Sequence, residues 1–479
     1  MTKDKTIVES FSGVRGVFGE GITTELARAY ARAFVDILLE RNDSVIFVVA
    51  SDTRDSSKEL RSIWVEEAQK AGALVYDIGA TTTPVAFHYV REVKAHGGVM
   101  ITASHNPPEY NGWKCISALG TMLEPDDMDE LIDKAHSNSN PKGSGKGEVK
   151  EHKAVAVDAY IQYLKSHFSE QEVEMIKSFS GNVVLDPNGS AVWSVLQKVC
   201  DNFGIAHHGI RTREGIFERL IEPNNESLQD VAEIVSEQGA LFGCGFDCDA
   251  DRVELVLPHD CERAKSYGPV VSGQYVLALG VDAVLSSAQG KVPKSPPVVV
   301  NYATSSLVRD IAKKYKTETI EVDVGEIVVI MAMRKYGSLV GGEGSSSGMI
   351  AKDGVCRDGV LVFLLTILLL SSRGKTLVEQ LDSYPQYYDL RSKETVDPDK
   401  MLAIREGLLS YYGKLGYTIV TNEDDPSSGI KINIDNQAWV FYRASRTEPG
   451  QYRIIVNGPD KQQLDILLAQ AQELFKSLT

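Results

Sequence analysis

Three stretches of this chain repeat one hydropathy pattern: a continuous apolar, β-branched run, a short polar loop, then apolar positions at helical spacing. The first is the run 44–50, the loop 51–57 and a helix to about Ala71. The second is 182–185, 186–190 and a helix to about Phe203. The third is 297–300, 301–306 and a helix to about Tyr315. Strands without polar alternation are buried on both faces, so these read as βα units in helix-covered sheets. Each opens a segment of roughly 100 to 150 residues, which predicts three similar mixed α/β domains.

The end of the chain is patterned differently. Residues 429–435 and 438–442 alternate apolar and polar side chains, 452–457 is a further strand candidate, and 461–477 reads as a terminal helix. Period-two strands followed by a helix predict a smaller α+β domain with an antiparallel sheet. The longest apolar run, 360–370, is interrupted by Thr366. It falls short of the roughly 20 residues that span a bilayer and reads as a buried helix, with Asp358 at its N-cap and Gly359 just inside. The expected domains are 1–155, 156–265, 266–385 and 386–479. Residues 137–147 read as an exposed loop near the end of the first, and the polar 261–267 as a separator between the second and third. Ser383-Tyr384-Pro385 closes the third.

Charge narrows the partners. The chain has 50 Lys and Arg against 66 Asp and Glu, a formal net charge of −16. Such a field disfavours nucleic acid and anionic membranes, while local cationic pockets can still take an anionic substrate. None of the six cysteines forms a CxxC pair, so zinc spacing is absent. The first five residues lack the apolar core of a signal peptide. Reduced thiols and a cytoplasmic location are expected.

Five segments carry candidate chemistry. Thr102-Ala103-Ser104-His105-Asn106-Pro107 follows a strand-like run, and Pro107-Pro108 forbids ordinary helix or sheet bonding, so Ser104 is placed on a stiff loop at a strand end. Asp247-Cys248-Asp249-Ala250-Asp251-Arg252 sets three carboxylates close together, and their oxygens suit a hard cation. The spacing is not that of an EF-hand, which would need Gly at Arg252 and Glu at Pro258. In Gly341-Gly342-Glu343-Gly344-Ser345-Ser346-Ser347-Gly348, Glu343 and the hydroxyls can bind sugar hydroxyls. Arg443-Ala444-Ser445-Arg446-Thr447-Glu448-Pro449, with Arg453 nearby, places hydroxyls between arginines as a phosphate clamp would. Last, Arg15 stands among glycines in 12–16, and Lys114 follows Ser104 by ten residues, where it can stabilise a developing anion.

Together and in this order, the segments resemble the α-D-phosphohexomutase family, which includes phosphoglucomutase, phosphomannomutase/phosphoglucomutase and phosphoglucosamine mutase. The resemblance runs from Ser12 to about Gly458, and the Ser104 and Asp247–Arg252 segments carry most of it. It implies an α/β fold of four domains around a central cleft, three similar mixed α/β domains followed by a smaller α+β C-terminal domain. Ser104 would carry a phosphoryl group. Asp247, Asp249 and Asp251, with an oxygen of the phosphorylated Ser104, would hold Mg²⁺. Glu343 and Ser345 would bind the sugar, and Arg443, Ser445, Arg446, Thr447 and Arg453 the distal phosphate. Arg15, Lys114, His105 and Arg252 are the further catalytic candidates.

The implied reaction interconverts hexose 1-phosphate and hexose 6-phosphate through a hexose 1,6-bisphosphate, which also serves as activating primer. The implied partner is a small phosphosugar, and the implied state a monomer or homodimer. Two departures stand out: Ser347-Gly348-Met349 lacks the histidine often found after Ser-Gly, and Ala444 and Arg446 replace usual residues of the phosphate loop. The run 106–112 looks more like archaeal-type phosphomannomutase and phosphoglucosamine mutase sequences. Two other readings compete. Asp247-Cys248-Asp249 resembles the DxD of haloacid-dehalogenase phosphatases, where the first Asp is phosphorylated, though Asp251 departs from that pattern. A phosphosugar-binding protein without turnover is the second.

Overall fold

The three apolar runs become the strands Ile46–Ser51, Val183–Asp186 and Val298–Asn301, each feeding a helix: Ser57–Lys70, Val192–Phe203 and Ser306–Lys314. This is a computed structural model that describes residues 7–137, 145–291, 296–423, 425–445 and 450–479. The chain forms two compact units, Met1–Ser272 with Gly354–Val378, and Gly273–Asp353 with Glu379–Thr479.

The first unit holds two sheets. The larger has seven strands, and its parallel core runs Gly97–Ile101, Ile46–Ser51, Leu74–Ala80, Val149–Glu151. On its other side Tyr110–Ser117, Gly13–Val17 and Ile7–Ser10 add antiparallel strands. The second sheet has five strands, in which Phe242–Phe246 lies parallel to Val183–Asp186 and antiparallel to Val253–Val256. Residues 262–267, read from the sequence as a polar separator, instead form the short helix Glu262–Tyr267. The Cys261 Sγ caps it by accepting the Ala264 N–H at 3.4 Å, a partner that polarity alone does not announce.

The apolar run becomes the helix Gly359–Arg373, whose residues 359–370 are all buried. It packs on the helix Glu170–Lys177 and on Val253–Val256, and so belongs with the second sheet. Among the described residues no helix is long and apolar enough to cross a membrane. Asp358 caps it, accepting from Leu361 N at 2.9 Å and from the Tyr160 hydroxyl at 2.7 and 2.9 Å. Burial pushes the Asp358 carboxyl up from 3.8 to about 6, against the pull of these donors. The fold therefore favours the protonated form. That stabilisation is complete below about pH 4 and is lost as pH rises through about 6. Asp358→Asn keeps a capping oxygen and should flatten this part of the stability profile. Urea midpoints at about pH 4 and 7 check this; an unchanged difference between them would refute it.

The second unit holds a four-stranded and a five-stranded sheet. In the first, Val298–Asn301 lies between Thr319–Val322 and Val340–Glu343, both parallel to it. The second is wholly antiparallel, in the order Tyr388–Thr395, Gln451–Gly458, Trp439–Ala444, Ile430–Asn433, Thr418–Val420. One face packs on two helices, Met401–Lys414 and Lys461–Leu478, where the sequence pattern announced only the second. The first buries only Ile404, Leu408 and Tyr412, a stripe one residue wide at i, i+4, i+8. Trp439, Phe441 and Ile455 on the other face pack against Tyr302 and Ala303, so the two sheets share a core.

Candidate functional site

In the first unit, the loops that carry Ser104 and the aspartates, with the Asp52 loop beside them, each follow the carboxyl end of a parallel strand. Asp52 follows Ile46–Ser51, Ser104 follows Gly97–Ile101, and Asp247 follows Phe242–Phe246. Open α/β sheets bind ligands at that end, because the loops there converge outside the sheet.

Ser104 is 3% exposed and sits at φ +52°, in the left-handed region that a side chain disfavours. Its N–H donates to Thr102 Oγ1 at 2.9 Å, and its hydroxyl donates to Asp247 Oδ2 at 3.1 Å. The hydroxyl thus turns to the carboxylate loop and not to the adjacent imidazole. His105 Nδ1 is buried without a partner. Burial, then Arg252 and Arg15, hold His105 well below its usual value, so the ring is neutral near pH 7.

Asp247, Asp249 and Asp251 are all buried, 0–1% exposed. The loop reaches this arrangement through Ala250 at φ +56°, which puts the three carboxylates on one side. Gly359 packs so closely on this loop that a Cβ there would meet the Arg252 and Ala250 carbonyls near 3 Å. Cations surround the loop. Lys114 Nζ donates to Asp249 Oδ2 at 2.7 Å and to Asp251 Oδ2 at 2.9 Å. Arg357 Nη2 donates to the same Asp251 oxygen at 2.8 Å, and Thr83 Oγ1 to Asp249 Oδ2 at 2.6 Å. Arg252 gives its backbone N–H to Asp247 Oδ1 at 3.3 Å, while its guanidinium lies 3.6 Å from Glu222.

This environment separates the carboxyls. Burial, then Asp249 and Asp251, push Asp247 well above the usual range. Burial also opposes ionisation of Asp251, but Arg357, Lys114 and Arg252 outweigh it and hold that carboxyl well below the usual range. Oxygens of the three lie within 4.8 Å of one another. Asp249 Oδ1 and Asp251 Oδ1 are buried with no hydrogen-bond partner. Orphaned carboxylate oxygens facing a shared space are a donor set that a hard divalent cation satisfies. The residues fit such an ion.

Arg15 and Lys114 come from adjacent antiparallel strands. Arg15 stands opposite Gly112, where a Cβ would meet the Val14 carbonyl at 1.9 Å, so only glycine lets the strands close. Desolvation, then Arg252, push Arg15 down to about 10, which leaves it charged at neutral pH.

The second unit carries the other candidates. Glu343 ends the strand Val340–Glu343, and its Oε1 accepts from Asn301 Nδ2 at 2.9 Å and Gly325 N at 3.0 Å. The Ser345 carbonyl accepts from Arg391 at 3.4 Å. Arg443 stands directly across from Arg453, and Lys393 across from Arg453 on its other side, so three cations form one strip of the sheet. The Ser445 N–H donates to the Gln451 carbonyl at 2.8 Å. Arg446 and Thr447 lie outside the described residues.

Three contributors escape the sequence reading: Thr83, Arg357 and Lys393. Lys393 had a signal, since it is a cation on a strand that alternates beside the phosphate loop. Arg357 bonds an aspartate 106 positions away, which no local pattern encodes.

Three family models described as phosphoglucomutase/phosphomannomutase, alpha/beta/alpha domains I, II and III, match residues 9–142, 158–260 and 272–388. A phosphoglucomutase/phosphomannomutase of Thermococcus kodakarensis is 32% identical over 443 residues, covering 91% of each chain. A phosphoglucosamine mutase of Methanococcus vannielii is 27% identical over 424 residues, covering 86% of this chain and 88% of the relative. A solved phosphoglucomutase/phosphomannomutase family protein of Burkholderia thailandensis shares the fold, with a TM-score of 0.79 at 20% identity, over 100% of this chain and 98% of that one. With three α/β domains matched in order, a further β-rich C-terminal domain and the aspartate loop, the chain belongs to the phosphoglucomutase/phosphomannomutase family of phosphohexomutases, which are isomerases.

Proposed function

We propose that the protein interconverts hexose 1-phosphates and hexose 6-phosphates with Ser104 as the phosphoryl carrier. Phosphorylated Ser104 gives its phosphoryl group to the free C6 or C1 hydroxyl. The phosphorus–Oγ bond breaks as the phosphorus–sugar oxygen bond forms; the sugar hydroxyl loses a proton and Ser104 regains one. The bisphosphorylated sugar then returns its other phosphoryl group to Ser104. A hexose 1,6-bisphosphate would prime the enzyme by the same exchange.

The observation that carries this reading is the bond from Ser104 Oγ to Asp247 at 3.1 Å, on a loop held in left-handed backbone. Asp247, Asp249 and Asp251, with an oxygen of phosphorylated Ser104, would hold Mg²⁺, which supplies positive charge for the transferring group when bound. Lys114 and Arg357 keep Asp251 ionised and fix the loop. Arg15 and Arg252 add cationic charge around His105 and Asp251. The Ser104 hydroxyl bonds Asp247 and His105 Nδ1 has no hydrogen-bond partner, so the pair lacks the serine–imidazole bond of a hydrolase-type nucleophile. Glu343, with one oxygen fixed by Asn301 and Gly325, would accept from sugar hydroxyls, as would Ser345. Arg443, Ser445, Arg446, Thr447 and Arg453 would take the phosphate that is not reacting.

A phosphatase with Asp247 as nucleophile is disfavoured by the three phosphohexomutase domains matched in order and by Asp251, which departs from the DxD pattern. Relatives bear both phosphomannomutase and phosphoglucosamine mutase names, so mannose, glucose and glucosamine 1-phosphates are the substrates to compare. Turnover of at least one of these, in a panel that adds N-acetylglucosamine 1-phosphate, is expected with Mg²⁺ and a hexose 1,6-bisphosphate primer. No conversion of any of the four would refute the reading.

A further inference from the structure

A serine at φ +52° is held against a preference of about 1–2 kcal/mol, so something must define that backbone. We propose that Arg54 is the residue that positions Ser104 for phosphoryl transfer, an inference that rests on Ser104 being the phosphoryl carrier. Arg54 Nη2 donates to the Ser104 carbonyl and to the Asn106 carbonyl, each at 2.7 Å. Its Nη1 donates to the Pro107 carbonyl and, at 3.0 Å, to the Tyr110 carbonyl. Its Nε donates to Asp52 Oδ2 at 3.1 Å. A guanidinium has five N–H donors in a fixed plane. All five find acceptors here, and four of those are carbonyls of the Ser104 loop.

The loop needs such a group. Pro107 and Pro108 have no N–H to give, so few backbone bonds hold the segment from within: Asn106 N–H to the Ala103 carbonyl at 3.2 Å and Tyr110 N–H to the Pro107 carbonyl at 3.0 Å. Asp52 fixes the clamp in turn, since its other oxygen takes the Arg54 backbone N–H at 3.0 Å and the Ser57 hydroxyl. The neighbouring Thr53 Oγ1 donates to the Gly189 carbonyl at 2.8 Å, which ties the same loop to the sheet that carries Asp247. One short loop therefore sets both Ser104 and its distance to the carboxylates. The Arg54 side chain is 0% exposed, so it touches no substrate and acts through Ser104. A shift of about 1 Å at a reacting group costs on the order of 100-fold in rate. Lysine cannot replace the fork, because its ammonium has three donors at one point.

The test uses the full chain with Mg²⁺ and glucose 1,6-bisphosphate. Arg54→Lys should lower kcat about 100-fold per folded molecule, with KM for the hexose 1-phosphate within about two-fold. The rate of Ser104 phosphorylation by glucose 1,6-bisphosphate, read by intact mass, should fall by the same factor. A purely structural role would lower the folded fraction in circular dichroism and leave the rate per folded molecule unchanged. Asp52→Asn keeps the guanidinium and loosens its anchor, so a fall of about ten-fold is expected; it decides the matter if Arg54→Lys does not fold. A rate per folded molecule within two-fold of wild type in the folded variant overturns the inference and leaves the Ser104 reading standing. Turnover by Ser104→Ala in the same assay overturns that reading instead.

Discussion

Ser104→Ala should lower kcat by at least about 10⁴-fold while the protein stays folded and still binds phosphosugar. The substitution removes the only atom that would carry the phosphoryl group in this mechanism, so no partial version of the exchange survives. Its cost to the fold is small. The variant loses one hydroxyl–carboxylate bond, worth roughly 1.5–3 kcal/mol at most, and leaves alanine at φ +52°, where serine was already strained. The Thr102 and Arg54 bonds to the Ser104 backbone do not depend on its side chain. Steady-state kinetics with a thermal melt check both halves. Turnover within about ten-fold of wild type would contradict the carrier role.

The second large effect concerns the aspartate loop. Removing divalent cations with a chelator should lower kcat roughly 10³-fold or more, and Mg²⁺ should restore it. Asp249→Ala should resist that restoration at the same Mg²⁺ concentration. The reasoning starts from the carboxylates. Lys114 and Arg357 satisfy one oxygen of Asp251, and Thr83 and Lys114 one oxygen of Asp249, yet the second oxygen of each stays buried without a hydrogen bond, that of Asp251 lying 3.8 Å from Arg252 Nε. Deleting Asp249 removes one such donor and also an acceptor of Lys114. Calorimetric titration with Mg²⁺ alone gives a readout apart from turnover. Wild-type affinity in Asp249→Ala, or full activity in excess chelator, would show that this loop is not the metal centre.

Much of the architecture was legible because its causes are local. Apolar runs such as 44–50 must be covered on both faces, and the helix Gly359–Arg373 carries its own cap in Asp358. Ser104 was legible because two prolines stop the chain after it, and the aspartate loop because three carboxylates so close require compensation. The clamp and its counterparts were not. Arg54 acts on carbonyls 50 to 56 positions away, Thr83 on Asp249 across 166, and Arg357 on Asp251 across 106. Arg357 also misleads in a second way: it follows the sugar loop in sequence, yet the segment 354–378 packs in the unit that holds the aspartates. Only the folded chain brings such pairs together.

The carrier role has one direct measurement. Wild-type protein incubated with hexose 1,6-bisphosphate labelled in its phosphates should become labelled, and peptide mapping should place the label on Ser104 as an acid-stable, hydroxylamine-resistant phosphoserine. Label on Asp247, released by hydroxylamine as an acyl phosphate, would contradict the account.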